Sequence, residues 1–351
     1  MAKVLMKGNE AIAEAAIRAG CQAFFGYPIT PQSEIPEYFA RELPKRGGLF
    51  LQAESELAAM NMVMGASASG ARVLTSTSGP GYCLKLEALA AMTLTRLPAV
   101  IVVVMRSGPA FGTMKAAQED YRMTGNGGYK VVTFAPWNIQ EAAEMTFEAF
   151  DIADQYRNPV VIMADGMIGQ MMEGMDFDKL PAPRRDLPPK TWALHGSASR
   201  GGVPQMLYVG DGLSHYAEKH EQETVLYPQI TANETRCETV GVEDAEVVFA
   251  AYGSAARMCQ YVIEEYAGKV RIGMIRPKTL WPFPYGEFEK IGPKCRAVIC
   301  PEINIIGQMI DDVRIAVAGR LPVSHVGDTA EDSLTPEGIE LELQRVLGRK
   351  L

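Results

Sequence analysis

The sequence lacks the features that mark several common classes of protein. Its six cysteines include no CxxC pair and its four histidines no pair at ligand spacing, so a zinc or iron–sulfur site within the chain is not expected. A formal net charge of −8 leaves no basic excess for nucleic acid. The longest apolar run, LPAVIVVVM, is far shorter than the roughly 20 residues of a membrane span. The start, MAKVLMKGNEAIAEAA, has no signal-peptide core, so we expect a cytoplasmic protein.

What the sequence does contain is an alternation of short apolar runs with helix-like segments. The run PAVIVVVMR is nearly continuous in β-branched residues, which is typical of a strand buried on both faces of a parallel sheet. The alternation predicts a doubly wound α/β domain over about residues 1–175. The Pro-rich stretch DKLPAPRRDLPPKTW then opens an irregular linker over 176–240. A second α/β domain is predicted over 241–351.

Loops that follow parallel strands gather at one sheet edge, where ligands bind. The first unusual loop is GYPITP, in which Pro28 and Pro31 fix φ and stiffen the backbone. A rigid loop suits a role in holding Ile29 and Thr30 against a ligand. It is equally consistent with a proline-capped helix start.

The second unusual loop leads into the helix-like segment ESELAAMNMVMGASASG. Glu56 lies on one stripe with Ala59, Met60 and Val63, at spacings of three, four and seven residues. Glu54 is offset from this stripe and is expected to face solvent or a partner. A carboxylate on an apolar stripe should be partly desolvated and could bind a ligand nitrogen. The alternative is a glutamate that only complements the helix dipole.

Two further loops carry candidate ligand-binding groups. In STSGPG, Ser78, Gly79 and Gly81 precede a helix and could offer backbone N–H groups, but no P-loop lysine follows. Arg106 ends the strongest predicted strand, where a guanidinium could bind a carboxylate in two-pronged fashion. A solvated or ion-paired arginine is the other interpretation.

One motif is a decoy. GDGLSHYAEKH, followed by Asn233, resembles the diphosphate–magnesium signature of thiamine enzymes. It lies in the predicted linker without a strand–helix context, and the asparagine is too near. We therefore predict no metal site in this chain.

Four stretches together resemble the α subunit of 2-oxoacid:ferredoxin oxidoreductases, most closely the branched-chain (2-ketoisovalerate) type and next the 2-oxoglutarate type. They are GNEAIAEAAIRAGCQAFFGYPITPQSEI, LQAESELAAMNMVMGASASGARVLTSTSGPG, YRNPVVIMADGMIGQMME and IRPKTLWPFP. The resemblance covers nearly the whole chain. It implies a thiamine-diphosphate-binding fold of the pyrimidine-domain type, followed by a transketolase C-terminal-like domain.

The resemblance also implies a division of labour among subunits. Thiamine diphosphate would be shared with a β subunit whose domain binds the diphosphate and Mg²⁺. Gamma and ferredoxin-like delta subunits would carry [4Fe–4S] clusters and pass electrons to ferredoxin. The reaction would be the oxidative decarboxylation of a 2-oxoacid to acyl-CoA and CO₂, with coenzyme A as co-substrate.

Residue roles follow from the same resemblance. Glu56 matches the family glutamate that hydrogen-bonds the aminopyrimidine ring nitrogen and stabilises the imino tautomer. Thr30 would lie near the substrate and the reactive carbon of the cofactor, and Arg106 would hold the substrate carboxylate. The residues assigned to cofactor contact, besides Glu56, are Tyr27, Pro28, Ile29, Ser78 and Gly79.

The loop after Arg106 departs from the family pattern. MTGNGGYKVV lacks the expected His-Gly-Asp, and SGPAFGTMKAAQEDY differs from the expected Gly-rich run. Phe111, Met114 and Met123 favour an apolar or aromatic 2-oxoacid. Two other interpretations remain: a subunit of a transketolase-like or lipoamide-linked 2-oxoacid dehydrogenase, and a non-catalytic assembly subunit.

Overall fold

A computed structural model describes residues 3–108, 113–124, 128–184, 186–198, 212–329 and 332–351. Phe111 lies outside the described residues. The strands are β1 Val4–Lys7, β2 Ala23–Gly26, β3 Leu49–Gln52, β4 Val73–Thr77, β5 Val100–Met105, β6 Val132–Phe134, β7 Val160–Asp165, β8 Met172–Met175, β9 Cys237–Val240, β10 Val247–Ala250, β11 Ile272–Pro277, β12 Thr279–Trp281, β13 Ala297–Pro301 and β14 Val323–Val326. The helices are α1 Gly8–Arg18, α2 Glu34–Glu42, α3 Glu56–Ala68, α4 Pro80–Leu94, α5 Ile139–Tyr156, α6 Gly166–Gln170, α7 Gly212–Glu221, α8 Tyr227–Glu234, α9 Gly253–Glu265, α10 Ile310–Val317 and α11 Pro336–Leu347.

Two twisted sheets organise these elements. The larger has seven strands in the order β12-β6-β7-β5-β4-β2-β3, and its strands are parallel except for β12, which pairs antiparallel with β6. The smaller has five strands in the order β14-β13-β10-β11-β9, parallel except for β9. A short antiparallel pair joins β1 and β8. None of the helices within the described ranges combines the length and apolar character needed to cross a lipid bilayer.

The centre of the larger sheet lies where the sequence predicted its strongest strand. Every residue of Val100–Met105 is buried, with β4 on one side and β7 on the other. Helices α1, α2 and α5 cover one face of the sheet, and α3 and α4 cover the opposite face. The predicted doubly wound α/β architecture is therefore confirmed. In the smaller sheet, α9 and α11 lie on one face and α10 on the other.

The segment 176–240 is more regular than its sequence indicated. Its described part contains α7, a π-helical turn, α8 and β9, which pairs with β11 of the smaller sheet. Leu226, Tyr227 and Ile230 are buried against the helix layer of the larger sheet, and this burial explains why a polar stretch forms packed helices. The division into 1–175, 176–240 and 241–351 stays a prediction. Strand β12, beyond residue 241, adds to the larger sheet.

A buried polar cluster joins the carboxyl ends of the two sheets. Asp165, at the end of β7, accepts hydrogen bonds from Ser254 N at 2.7 Å and Ser254 Oγ at 2.6 Å, at the start of α9. Gln118 Nε2 donates to Tyr252 O at 2.9 Å, and Gln118 Oε1 accepts from Ile303 N at 3.1 Å. Burial raises the pKa of Asp165, and these donors oppose that rise.

A second link between the sheets is ionic. The Arg276 guanidinium, 1% exposed, makes a two-pronged pair with Glu141 at 2.8 and 3.0 Å. It also lies 4.3 Å from the centre of the Trp137 ring. This ionic link buries a charge that is fully paired, so loss of a single partner is expected to be costly.

Replacement of Asp165 by Ala should destabilise the chain. The substitution removes the acceptor for Ser254 and for Ile168 N, the latter at 3.2 Å at the start of α6. We expect the free energy of unfolding to fall by roughly 3 kcal/mol in urea titrations. Asp244, whose side chain is 75% exposed beside Lys294, provides the control, and Asp244→Ala should change stability little. Equal unfolding midpoints for the two variants would show that the Asp165 cluster does not hold the sheets together.

Candidate active site

The loop after β2 is braced by polar side chains, of which Asn9 and Gln32 are buried and Gln170 is exposed. Asn9 Nδ2 and Gln170 Nε2 both donate to Pro31 O, at 2.8 and 2.7 Å, and Gln32 Nε2 donates to Tyr27 O at 3.1 Å. The Thr30–Pro31 peptide bond is cis. Thr30 is exposed at the tip of this fixed loop, as is Pro28, whereas Tyr27 and Ile29 are half-buried. The loop therefore presents the Thr30 side chain outward from a rigid frame.

Glu56 is the first residue of α3, next to the capping residue Ser55, whose Oγ accepts from Ala58 N at 3.2 Å. Its carboxylate complements the helix dipole, which was one interpretation of the sequence. The residue is also only 6% exposed, so the other interpretation, a desolvated carboxylate, applies as well. Among the described residues, none donates a hydrogen bond to this carboxylate. Glu54 is exposed, as expected from its offset.

Gly81 makes room for the Glu56 carboxylate. A Cβ at this position would lie 2.4 Å from both Glu56 Oε1 and Thr77 Oγ1. No side chain fits at such distances, because real Cβ contacts shorter than about 3 Å are essentially absent. The α4 start therefore requires glycine so that Glu56 can turn inward beside it.

Buried polar atoms without a protein partner gather at the loop between β4 and α4. Within the described residues, Thr77 Oγ1, Ser78 Oγ, Arg106 Nε and Asp120 Oδ1 are all buried and unpaired. Buried polar groups are hydrogen-bonded in nearly all native structures, so a cluster of unpaired atoms indicates a ligand site. Gly79, with φ of +46°, holds the loop in a conformation that other residues rarely adopt.

Arg106 connects this loop to the loop after β2. Its Nη1 donates to Thr30 O at 3.0 Å, and a Cβ on Gly79 would lie 3.0 Å from its Nε. The guanidinium is half-buried and keeps further N–H groups for a ligand. The predicted residues Thr30, Gly79 and Arg106 thus form one contiguous patch, and Ser78 and Gly81 join it to Glu56.

Asp120 belongs to the same patch, and no pattern in the sequence pointed to it. The residue is fully buried, and its Oδ2 accepts from Gly79 N at 3.4 Å. Burial raises the pKa of Asp120 to about 7, against the opposing effect of the Gly79 and Arg106 backbone N–H groups. The carboxyl group therefore changes charge near neutral pH, immediately behind the loop that holds Arg106.

Lys85 is the second residue that sequence reasoning missed. It is fully buried on α4, four residues after Gly81, and Nζ donates to Thr75 Oγ1 at 3.0 Å. A signal was present, because Lys85 falls on the same helical stripe as Gly81, Leu89 and Met92. A lysine on a buried stripe is rare enough to have indicated a special role.

The other candidates occupy peripheral positions. Met114 is exposed, and Met123 is half-buried with its sulfur 3.1 Å from Cys83 Sγ. Asn233, of the decoy motif, lies in α8 and donates to Tyr156 Oη at 3.3 Å, whereas the Gly-Asp-Gly start of that motif falls partly outside the described residues. No group of three or more His, Cys, Asp or Glu in the described part of the chain could hold a metal ion.

Comparison with known proteins identifies the family of the chain. The model of the pyruvate flavodoxin/ferredoxin oxidoreductase thiamine-diphosphate-binding family matches residues 14–239, and that of the pyruvate:ferredoxin oxidoreductase core domain II matches 245–339. The ketoisovalerate oxidoreductase subunit VorB of Methanothermobacter marburgensis is 40% identical, with 90% of each chain covered. The 2-oxoglutarate synthase subunit KorA of Methanocaldococcus jannaschii is 35% identical, with 88% of this chain and 90% of that one covered.

Solved structures give the same fold. A 2-oxoglutarate:ferredoxin oxidoreductase from Magnetococcus marinus superposes with a TM-score of 0.87 at 24% identity, over 98% of this chain and 65% of that one. A split-gene transketolase superposes with a TM-score of 0.60 at 15% identity, over 99% of each chain. The fold is thus that of a thiamine-diphosphate-binding α/β protein, the class to which the family model over residues 14–239 belongs. The chain belongs to the 2-oxoacid:ferredoxin oxidoreductase family, as the resemblance implied.

The residues present fit an aminopyrimidine. A buried carboxylate that receives no hydrogen bond from the described residues is the partner that a protonated or imino ring nitrogen needs. The missing side chain of Gly81 leaves that carboxylate its space, and Thr77 Oγ1 and Ser78 Oγ lie unpaired nearby. Glu56 would hold the ring nitrogen, and the loop 78–81 would lie beside it.

Replacement of Asp120 by Asn should make stability less dependent on pH. A folded-state pKa raised to about 7 means that the folded wild type binds a proton more tightly than the unfolded chain, so the wild type loses stability as pH rises from about 4 to about 7. The amide in the variant does not titrate. We expect Asp120→Asn to gain roughly 2 kcal/mol over the wild type between about pH 5 and about pH 8 in urea unfolding. Parallel stability curves for the two proteins would contradict a raised pKa, and Asp244→Asn is the exposed control.

Proposed function

We propose that this chain is the α subunit of a 2-oxoacid:ferredoxin oxidoreductase that converts a branched-chain or aromatic 2-oxoacid to acyl-CoA and CO₂ and passes the electrons to ferredoxin. One observation carries the proposal: the Glu56 carboxylate is buried, receives no hydrogen bond from the described residues and has its space guaranteed by Gly81. Membership of the family and the 40% identity to a ketoisovalerate oxidoreductase subunit support it.

The residues of this chain would hold a proton on the cofactor ring and would bind the substrate. Thiamine diphosphate, when bound, supplies the carbanion chemistry of decarboxylation. Glu56 Oε would share a proton with the ring nitrogen of the aminopyrimidine. This sharing would stabilise the imino tautomer, which can accept a further proton. Arg106 would bind the substrate carboxylate through its free N–H groups. Because Arg106 Nη1 also holds Thr30 O at 3.0 Å, the same guanidinium would fix Thr30 beside the reacting carbon.

The preference for an apolar side chain on the substrate rests on the surroundings of Arg106. Arg106 would be taken by the carboxylate that is common to all 2-oxoacids. Met114 and Met123 lie on the loop that follows Arg106, and both are apolar and flexible. The neighbouring cations Lys115 and Arg122 are already paired, with Asp328 at 3.2 Å and Asp311 at 2.8 Å, so a second carboxylate, as in 2-oxoglutarate, would have to compete for them.

Partner subunits would complete the active site. The diphosphate and Mg²⁺ would be bound by a β subunit, and the [4Fe–4S] clusters by gamma and ferredoxin-like delta subunits. Leu57 on α3 and Leu84 on α4 are 47% and 51% exposed, on the two helices that carry Glu56 and Lys85. An apolar surface at this position is suited to a protein partner. The six cysteines are all free thiols, as expected in the cytoplasm.

Replacement of Glu56 by Gln should abolish turnover without preventing assembly. Gln keeps the size of the side chain but cannot share a proton as a carboxylate does, so we expect turnover to fall by at least about 100-fold. The measurement is bleaching of the broad absorbance at about 400 nm that clusters give the purified complex, after addition of 2-ketoisovalerate and coenzyme A.

Glu54→Gln is the matched control, because Glu54 is two residues away and exposed. It should bleach at the wild-type rate. A Glu56→Gln complex that bleaches normally would refute the role of Glu56. A wild-type complex without the absorbance would refute an electron-transferring enzyme, and would favour a transketolase-like, lipoamide-linked or non-catalytic subunit instead.

Replacement of Arg106 by Ala should weaken substrate binding. Loss of a charged hydrogen-bonding partner corresponds to roughly 2 kcal/mol, so we expect the KM for the 2-oxoacid to rise by about 30-fold. Steady-state kinetics should show little change in the KM for coenzyme A. Arg106→Lys keeps the charge without the two-pronged geometry and should fall between wild type and Ala. An unaltered KM in Arg106→Ala would remove this residue from the substrate site.

A further inference from the structure

Lys85 is a buried cation that the proposed mechanism does not use. The residue has no exposed surface, and its ammonium group makes two hydrogen bonds, to Thr75 Oγ1 at 3.0 Å and to the Glu56 backbone oxygen at 3.4 Å. An ammonium carries three donors, so one of its hydrogens has no partner at hydrogen-bond distance among the described residues. Burial of a lysine without full pairing is strongly unfavourable.

The charge that faces Lys85 is that of Glu56. The hydrogen-bond partners of the ammonium come from two elements, Glu56 from α3 and Thr75 from β4. Of these, Glu56 alone is charged, and its attraction favours the charged form of Lys85. Burial has the larger effect and lowers the pKa of Lys85 to about 7. Lys85 thus gains or loses its proton near neutral pH, according to the charge on Glu56.

We propose that Lys85 is a positioning residue that supplies the counter-charge for the Glu56 carboxylate and releases its proton to solvent when thiamine diphosphate binds. This inference rests on the proposed function of Glu56. Before binding, the pair carries one negative and one positive charge. The contact between Lys85 Nζ and Glu56 O also ties α4 to the first residue of α3.

The proton balance follows from the charges. When the Glu56 carboxylate and the ring nitrogen share a proton, that proton is taken from solvent and the negative charge beside Lys85 is neutralised. Lys85 then lies buried without a counter-charge, and its ammonium releases one proton to solvent. The uptake and the release cancel. If Lys85 is charged before binding, Glu56 and Lys85 together therefore exchange no net proton with solvent when the cofactor binds. Above its pKa Lys85 is already neutral, and only the uptake remains.

The test is titration calorimetry of thiamine diphosphate with Mg²⁺ into the cofactor-free complex, in buffers of different ionisation enthalpy. At about pH 6 the wild type should release about one proton more per site than Lys85→Met, and at about pH 8.5 the two should exchange the same number. Protons that come from the diphosphate are common to both proteins and cancel in the difference. Lys85→Gln, which keeps a hydrogen-bond donor for Thr75 without the charge, should behave like Lys85→Met and serves if the Met variant does not fold.

Equal proton counts at both pH values in wild type and variants would overturn the inference. The same result would leave the proposed function intact if the wild type binds the cofactor and Glu56→Gln abolishes turnover. A wild-type complex that does not bind thiamine diphosphate would instead refute the proposed function. A difference of about one proton at both pH values would also contradict the inference, because the titration of Lys85 requires the difference to disappear at the higher pH.

Discussion

The structure depends on one set of hydrogen bonds. They pair the polar groups that are buried where the edges of the larger and the smaller sheet meet. Asp165 at the end of one sheet accepts both donors of Ser254 at the start of the other, and Gln118 lies between them with bonds to each side. At the end of β13, Glu302 accepts the backbone N–H groups that open α10, including Ile310 N at 3.0 Å. Such groups are stable in an apolar interior only when their partners are in place, so the two sheets must keep one relative position.

This requirement reaches the candidate active site through the segment 115–122. Ala116 bridges to Arg106, Gln118 is held by the second sheet, and Asp120 lies beneath Gly79. At one end Lys115 pairs with Asp328 at 3.2 Å, and at the other Arg122 pairs with Asp311 at 2.8 Å. Residues around the smaller sheet thus fix the segment that supports Arg106, although the residues assigned to catalysis all lie around the larger sheet.

The same region holds polar groups that the fold alone does not satisfy. Ser78 Oγ, Arg106 Nε and Asp120 Oδ1 are buried without partners in the described residues, and Lys85 is buried beside a single counter-charge. Each of these groups lowers the stability of the isolated chain. These groups lie together at one sheet edge, whereas the cluster at Asp165 is densely hydrogen-bonded. The contrast indicates that the chain is less stable at the position where a ligand and a partner are to bind.

The sequence by itself determined the alternation of strands and helices, the central position of Val100–Met105 and the candidate roles of Thr30, Glu56 and Arg106, because periodicity and family motifs are local properties. The helices of segment 212–234 were missed because their burial comes from contacts with distant elements. Tertiary structure alone decided that Asp120 is buried and that the Lys85 ammonium lies against Thr75 and the Glu56 backbone. The pKa of each depends on desolvation and on charges brought together from separate elements, and neither can be obtained from the order of residues along a chain.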